Sequence, residues 1–251
     1  MKGGKRPLGD AEQQGLMASN VVEIGAESPE RTNSERAYRL LRNDIISGDL
    51  APGLKLKIEM LRQRYGLGAA PIREALARLS SDHLVRLEGQ RGCEVVAMSA
   101  ADARDVGHVR KMLEIEALRD SITRGDEMWE TNVITAFHRL ESIERQINQG
   151  IDDLSEWERR NKAFHVALVA ACGSPWLFRL RRQVFDQHER YRRLSRVKTV
   201  RTRDISQEHR DLFQAAIDRD VDRATAVMET HIQGTTDAVT AALAAREKTG
   251  E

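Results

Sequence analysis

Apolar side chains recur every three or four residues along most of the chain, which is the spacing of one face of an α-helix. The stretch 68–84 shows this pattern, with one apolar stripe formed by Ile72, Leu76 and Leu79. Pro71 falls in the first turn, where the amide hydrogen that proline lacks would have no partner. We therefore predict a short amphipathic helix that leaves Arg73 outside the stripe.

Two more helices are predicted before this one, and a hairpin after it. The first runs from residue 33 or 34 to 47 and the second covers 58–65, and each stops at a glycine. Residues 85–87 and 93–96 are β-prone and flank a polar tip bounded by glycines. Three helices followed by a hairpin predict a winged helix-turn-helix.

From residue 99 onwards the pattern predicts only helices. Their bounds are about 100–124, 126–148, 152–172, 175–198, 204–219 and 220–248. We expect a mostly α fold with three parts: a disordered N-terminal tail (1–32), a winged helix-turn-helix (33–98) and an all-helical bundle of about six helices (99–248).

Composition and charge agree with this division. The chain is 40% hydrophobic, 31% charged and only 4% aromatic, which favours a helical globular protein over a β-sandwich. Residues 34–98 hold 11 Lys/Arg against 8 Asp/Glu, whereas residues 99–251 hold 25 against 26. The predicted winged helix is therefore the more basic part, as nucleic-acid binding requires.

The two cysteines, Cys93 and Cys172, lie far apart in the chain, which indicates reduced thiols rather than a disulfide. No apolar run reaches the length of a membrane span, and no apolar segment follows the basic N-terminal residues. We expect a cytoplasmic protein that does not contact a membrane.

Residues 36–98 resemble the winged helix of GntR-family transcription regulators. The resemblance rests on the runs Leu50-Ala51-Pro52-Gly53, Pro71-Ile72-Arg73-Glu74-Ala75-Leu76 and Arg91-Gly92. The helical remainder resembles the FCD type of effector domain of the FadR subfamily, so that the likeness covers about residues 34–245. Residues 66–71 and 88–92 bring the chain nearest to the carbon-starvation-induced branch.

The resemblance implies a homodimer that binds a palindromic operator in double-stranded DNA, with the third helix in the major groove. Arg73 can reach a guanine edge or a phosphate, and the amides at the start of this helix can bind a phosphate. The predicted DNA-binding residues are Lys57, Gly68, Ala69, Ala70, Pro71, Arg73, Gln90 and Arg91. Many relatives carry Ser-Arg-Thr at positions 68–70, so this chain lacks one base-reading arginine, and Ala69 could instead pack on a thymine methyl group.

Four polar residues of the predicted bundle form a candidate metal site. Asn161 and His165 stand four residues apart on one helix, and His209 and His231 fall on two later helices. Their spacing alone is weak evidence for a metal, and by itself it favours histidines that are hydrogen-bonded in the core. In FCD-type regulators, an Asp or Asn four residues before a His and two later His residues bind a divalent metal. The resemblance therefore implies such a metal, zinc first and nickel or iron as alternatives.

An effector pocket is expected beside the metal. Arg110, Tyr191 and Arg192 resemble polar pocket positions of the family. Since arginine binds a carboxylate through two hydrogen bonds, we expect a small mono- or dicarboxylate, in this branch a five-carbon diacid. The arginine-rich run from Arg190 is also typical of a solvated helix face.

These observations predict a repressor, not an enzyme, whose DNA binding is controlled by a small organic acid next to a divalent metal. Two other functions fit the same residues. The three histidines could activate water in a metal-dependent hydrolase, although no general base or nucleophile motif accompanies them. The protein could also be an architectural DNA-binding protein without an effector.

Overall fold

The computed structural model of the protein describes residues 32–87, 92–151, 153–199 and 203–249. These residues form nine helices and three short strands. The elements are α1 Asn33–Ser47, β1 Lys55–Leu56, α2 Ile58–Tyr65, α3 Ala69–Ser81, β2 Val85–Leu87, β3 Cys93–Val95, α4 Ala100–Arg124, α5 Glu127–Asn148, α6 Leu154–Leu168, α7 Pro175–Thr199, α8 Ile205–Ile217 and α9 Val221–Thr249. The predicted tail lies outside the described residues except for Thr32.

The first three helices pack on one another through the predicted apolar stripes. Ile72, Leu76 and Leu79 of α3 are buried, and they share a core with Leu41 and Ile45 of α1. Helix α1 is capped by the Thr32 side chain, which stands one residue before the earlier of the two predicted helix starts. The mostly α fold with a winged helix-turn-helix is confirmed.

A glycine makes the turn between α2 and α3. Gly66 adopts a left-handed conformation with φ 65°, and its amide donates a hydrogen bond to the Arg62 carbonyl. Glycine takes this conformation without steric cost. The turn places the start of α3 at the surface, where Gly68 is exposed.

The wing is a three-stranded antiparallel sheet with the order β1-β3-β2. Cys93 pairs with Leu87 of β2 on one side and with Leu56 of β1 on the other. The wing tip, residues 88–91, lies outside the described residues.

The six helices α4 to α9 form the bundle, and its interior has an apolar half and a polar half. In the apolar half, Phe137 of α5 stacks on Phe213 of α8 with ring centroids 4.0 Å apart. The polar half buries several arginine and glutamate side chains of α4, α6 and α7 and histidine side chains of α6 to α9. Since buried charges must be paired or serve a ligand, this half is where a binding site is expected.

Two predicted helix ends are wrong by several residues. Helix α3 ends at Ser81 rather than residue 84, because the chain turns at His83, which has φ 56°. Helix α6 ends at Leu168 rather than residue 172, because the Leu168 carbonyl accepts a hydrogen bond from the Trp129 indole. The amide of Ala171 then donates to a side chain of α4.

Helix α7 extends from the bundle to the winged helix. Gln187 donates a hydrogen bond of 2.9 Å to the Asp82 carbonyl, and Arg190 donates one to the Val96 carbonyl. An ion pair joins Arg42 of α1 to Asp186 of α7. The two domains are therefore connected by polar contacts along one side of α7.

Cys93 and Cys172 are both free thiols, and burial raises the pKa of Cys93 to about 11. Among the described helices, none combines the length and the hydropathy of a membrane span.

Candidate functional site

Three histidines from three helices converge in the polar half of the bundle. His165 of α6, His209 of α8 and His231 of α9 are buried, and one ring nitrogen of each lies within 4.8 Å of the others. The ring centroids of His165 and His231 are 5.1 Å apart. Helical packing thus brings together side chains that are 66 residues apart in the chain.

His209 is oriented by a carboxylate. Its Nδ1 lies 2.7 Å from Glu144 Oε1, which also accepts a hydrogen bond of 3.2 Å from the Trp157 indole. Because a carboxylate only accepts hydrogen bonds, Nδ1 of His209 donates to Glu144, which leaves Nε2 as the ring nitrogen that could bind a metal. That Nε2 atom is buried without a hydrogen-bond partner.

His231 is oriented in the same way. Its Nδ1 lies 2.8 Å from Glu208 Oε2, and both oxygens of Glu208 also accept hydrogen bonds from Arg203. Arg203 donates a further bond of 2.8 Å to the His231 carbonyl. Carboxylates that fix the tautomer of a histidine in this way are typical partners of metal-binding imidazoles.

Asn161 and His165 present buried polar atoms without partners. Among the described residues, neither end of the Asn161 side-chain amide and neither ring nitrogen of His165 has a hydrogen-bond partner. Leaving such atoms unpaired inside a protein costs free energy, about 1–3 kcal/mol each. The donor set of three imidazoles and one amide oxygen fits a divalent metal that prefers nitrogen and oxygen ligands.

Electrostatics keep two of these histidines neutral. Burial lowers the pKa of His165 and of His231 well below the usual range, and the positive charge of Arg110 contributes to both shifts. A neutral imidazole has the lone pair that a metal requires.

Arg110 has one free donor toward the pocket. Its Nη1 lies 2.7 Å from His188 Nδ1 and its Nε 3.4 Å from Glu114, whereas Nη2 has no hydrogen-bond partner in the described structure. Burial lowers the pKa of Arg110 to about 10, so the group is still charged at neutral pH. The guanidinium also lies over the Phe185 ring, 4.6 Å from its centroid.

Of the other two predicted effector residues, Arg192 lies near the pocket and Tyr191 does not. Arg192 is buried beside the pocket, where it pairs with Glu158 and lies 6.0 Å from the Phe185 centroid. Tyr191 lies elsewhere: its hydroxyl donates a hydrogen bond of 2.5 Å to Asp102 at the start of α4. Tyr191 is thus part of a small apolar cluster between α4, α7 and α9 rather than of the pocket.

Several residues of the site were missed by our reading of the sequence. Glu114 follows Arg110 by four residues, a helical spacing that could have revealed the pair. His188, Glu144 and Glu208 carry no comparable pattern, because their partners lie on other helices. His188 lacks the second histidine of a zinc-protease motif, and the structure instead shows it bound to Arg110.

The predicted DNA-binding residues of α2 and α3 share the surface around the turn. Lys57 precedes α2 and is exposed, as are Ala70 and Arg73. Ala69 and Pro71 are partly buried. Gln90 and Arg91 lie outside the described residues.

Helix α3 begins without a side-chain cap. Gly68 occupies the N-cap position and makes no side-chain hydrogen bond, so the amides of Ala69 and Ala70 point to solvent without a cap. Uncapped amides at a helix N-terminus form a favourable site for a phosphate oxygen. This geometry is compatible with the predicted role of the turn in binding the DNA backbone.

A winged helix joined to an all-helical domain with a polar interior defines a class of protein, the two-domain DNA-binding regulators. The family model described as bacterial regulatory proteins of the gntR family matches residues 33–95, and the model of the FCD domain matches residues 105–234. The chain belongs to the GntR family, with an FCD domain as its second part. It is a DNA-binding transcriptional regulator.

Similar proteins are named as regulators of the same kind. The HTH-type transcriptional regulator BphR of Paraburkholderia xenovorans (strain LB400) is 39% identical over 210 residues, which cover 83% of this chain and 86% of BphR. The HTH-type transcriptional repressor GlaR of Escherichia coli (strain K12) is 37% identical over 199 residues, or 78% of this chain and 90% of GlaR.

Solved structures of the family share the fold. A GntR-family regulator from Pseudomonas syringae pv. tomato str. DC3000 matches with a TM-score of 0.52 and 27% identity, over 90% of this chain and 92% of that one. E. coli McbR/YncC matches with a TM-score of 0.72 over 83% of this chain and 97% of its own. At 16% identity, the second likeness concerns the fold alone.

Proposed function

We propose that this regulator is a cytoplasmic repressor, and that a small carboxylate bound next to a divalent metal in the bundle controls its binding to an operator. The observation that carries the proposal is the buried cluster of His165, His209 and His231, together with the buried polar atoms of Asn161, His165, His209 and Arg110 that have no hydrogen-bond partner among the described residues. The name of the similar repressor GlaR supports repression.

Asn161, His165, His209 and His231 would hold the metal, which would supply a positive charge and open coordination positions for an anion. Glu144 orients His209, and Glu208 orients His231. Three imidazoles and an amide are all neutral ligands, so the full charge of the ion would remain to attract an anion.

The charges around Phe185 support an acid as the ligand. The guanidinium groups of Arg110, Arg181 and Arg192 lie 4.6, 5.2 and 6.0 Å from the ring centroid. Glu114 pairs with Arg110 and Arg181, and Glu158 pairs with Arg192. The free Nη2 of Arg110 is the donor that a carboxylate would accept from.

The start of α3 supports the predicted mode of DNA binding. Arg73 is exposed and, within the described structure, has no acidic partner, so its guanidinium is available to a base edge or a phosphate. Its neighbour Glu74 accepts a hydrogen bond of 2.5 Å from Ser34 and is not paired with Arg73.

An outward face of α4 supports a homodimer, which a palindromic operator requires. Val109 and Leu113 are only partly buried, and Met112 is 52% exposed. Apolar side chains at this spacing on a surface helix are suited to pack against the same helix of a second copy.

The test combines metal analysis with ligand and DNA binding. Purified protein should contain a divalent metal by elemental analysis, and calorimetry should detect one of a panel of small mono- and dicarboxylates. Genomic footprinting would identify the operator DNA. The acid should change the affinity of the protein for this operator by about 5- to 150-fold, the usual range of allosteric coupling. Arg110→Ala should abolish acid binding, and His165→Ala should abolish metal binding.

His138→Ala is the matched control, because His138 is an exposed histidine of α5 outside the pocket. It should leave metal content and acid binding unchanged. Protein without metal, whose melting temperature does not respond to added zinc, nickel or iron, would refute the metal site. Ester hydrolysis that is lost in His165→Ala would instead support the hydrolase.

A further inference from the structure

A cleft of about 290 Å³ lies between the winged helix and α7, away from the bundle pocket. The α1 and α3 helices form one wall and α7 forms the other. Its charged lining consists of Arg42, Arg78, Arg179, Arg182, Asp82 and Asp186. Four guanidinium groups therefore share a small volume with two carboxylates.

Both carboxylates of the cleft already have partners. Asp186 pairs with Arg42 and accepts a hydrogen bond of 2.8 Å from Lys162. Asp82 accepts a hydrogen bond of 2.6 Å from the Tyr38 hydroxyl. The acidic groups of the cleft are thus engaged without the three remaining arginines.

The remaining arginines, Arg78, Arg179 and Arg182, have no ion-pair partner among the described residues. Arg78 lies over the Tyr38 ring at 4.1 Å from its centroid, and Arg179 lies over the Trp176 ring at 5.1 Å. Stacking on a ring fixes a guanidinium but leaves its edge donors free. These donors can bind an oxyanion through paired hydrogen bonds.

Hydrogen bonds across the cleft hold its walls together. Gln183 of α7 donates to the Ser81 carbonyl at 3.3 Å, and Gln187 donates to the Asp82 carbonyl at 2.9 Å. The two carbonyls belong to the end of α3. The guanidinium groups are therefore brought together by an existing contact between the domains.

We propose that this cleft is a second anion site, which takes a phosphate group of a small molecule between α3 and α7. Phosphate matches the chemistry because its several oxygens and multiple negative charge can use more than one guanidinium at once. A bound phosphate would connect Arg78 of the winged helix to Arg179 and Arg182 of the bundle.

DNA is not the ligand that the shape of the cleft favours. Arg78 follows Arg73 by five residues, which places the two side chains about 140° apart around α3. Arg73 points to the DNA-binding surface, whereas Arg78 faces α7. A duplex is too wide for a cleft of about 290 Å³, and α7 closes one side of it.

Calorimetric titration with pyrophosphate, at constant ionic strength and with a chelator present, tests the proposal. The full-length protein should bind pyrophosphate saturably. The double variant Arg78→Gln/Arg182→Gln should bind it with an affinity at least about tenfold lower, as expected for the loss of charge-assisted hydrogen bonds. Arg104→Gln, a change at an exposed arginine of α4, should bind like the unaltered protein. The chelator keeps divalent metal from mediating the interaction, so saturable binding under these conditions does not depend on the metal proposed for the bundle pocket.

Melting temperature and light scattering, measured without anion, check that the double variant is folded and keeps its oligomeric state. Equal binding by the double variant and the unaltered protein would overturn the proposal, as would the absence of saturable binding. A double variant that loses its partner subunit would show that the arginines serve an interface between copies. If the double variant loses affinity for DNA and the unaltered protein does not bind pyrophosphate, the arginines contact the DNA backbone instead.

Discussion

At the scale of single residues, the neighbours of a side chain decide whether it is available to a ligand. Arg73 is exposed on α3 and stands apart from Glu74, which is held by Ser34. The charge of Arg73 is therefore not neutralised within the protein. Because position 69 is an alanine, Arg73 is the residue of α3 that we predict to read a base.

We expect Arg73→Ala to weaken binding to operator DNA by about 1–3 kcal/mol, because a lost contact between arginine and a base edge has that cost. Fluorescence anisotropy with a labelled operator measures the loss, and unrelated DNA of the same length shows whether specificity falls as well. Arg104→Ala, on the bundle, should bind normally. Equal affinities of Arg73→Ala and unaltered protein for the operator would remove Arg73 from the interface.

Residues of the pocket differ in how far the sequence could predict them. The sequence predicted that Asn161 and His165 lie on one face of a helix, and the resemblance to the family identified His209 and His231. The sequence did not predict the roles of Glu144 and His188, because their partners are distant in the chain. Glu144 bonds to His209, 65 residues away, and His188 bonds to Arg110, 78 residues away. Tyr191 was misplaced because its position on α7 does not reveal that it faces Asp102.

At the scale of elements, α4 is held close to α9 by a glycine. A Cβ atom added to Gly107 would lie 2.3 Å from Thr236 Oγ1, well inside contact distance. Thr236 is buried and its hydroxyl donates to the Ile232 carbonyl, so it has no room to move away. The close approach of these two helices depends on the absence of a side chain at position 107.

We expect Gly107→Ala to destabilise the protein by about 1–3 kcal/mol, because overpacking outweighs the higher helix propensity of alanine. Chemical denaturation measures this change in the free energy of unfolding. Thr236→Ala removes the two nearest atoms and leaves only the Cβ of position 236 at 3.0 Å, so Gly107→Ala should cost much less stability in a Thr236→Ala background. A Gly107→Ala protein as stable as the unaltered one would show that the helices do not need this contact.

Helix α4 also shows where hydrophobic pattern alone misleads. Its length was predicted well, and its Ser99 cap is present. Val109 and Leu113 belong to the apolar pattern of this helix but are only partly buried, whereas the buried face carries Arg110 and Glu114. A helix that lines a polar pocket buries charged residues, and a rule that places hydrophobic residues inside then assigns the wrong face.

At the scale of the whole molecule, contacts between α6, α7 and α1 connect the pocket to the winged helix. Asn161 of α6 stands four residues before His165, and the next residue, Lys162, bonds to Asp186 of α7 at 2.8 Å. Asp186 also holds Arg42 of α1. A shift of α6 that accompanies ligand binding would therefore change the ion pair that joins the bundle to α1.

We expect Arg42→Ala to reduce the effect of the acid on operator affinity several-fold, because the ligand then loses one of its connections to the DNA-binding domain. The measurement is operator affinity with and without the acid, and metal content and acid affinity should be unchanged. Arg145→Ala removes an exposed ion pair of α5 and serves as the control. A full response in Arg42→Ala would show that the coupling takes another route.

The unpaired atoms of Asn161, His165 and His209 also bear on how long the protein survives in a cell. A metal that satisfies them would stabilise the folded state by about 2.7 kcal/mol at a hundredfold excess over its dissociation constant. Proteases remove the unfolded fraction, so a change of this size alters abundance several-fold. On the proposed function, the supply of metal would set how much regulator a cell keeps, in addition to how that regulator responds.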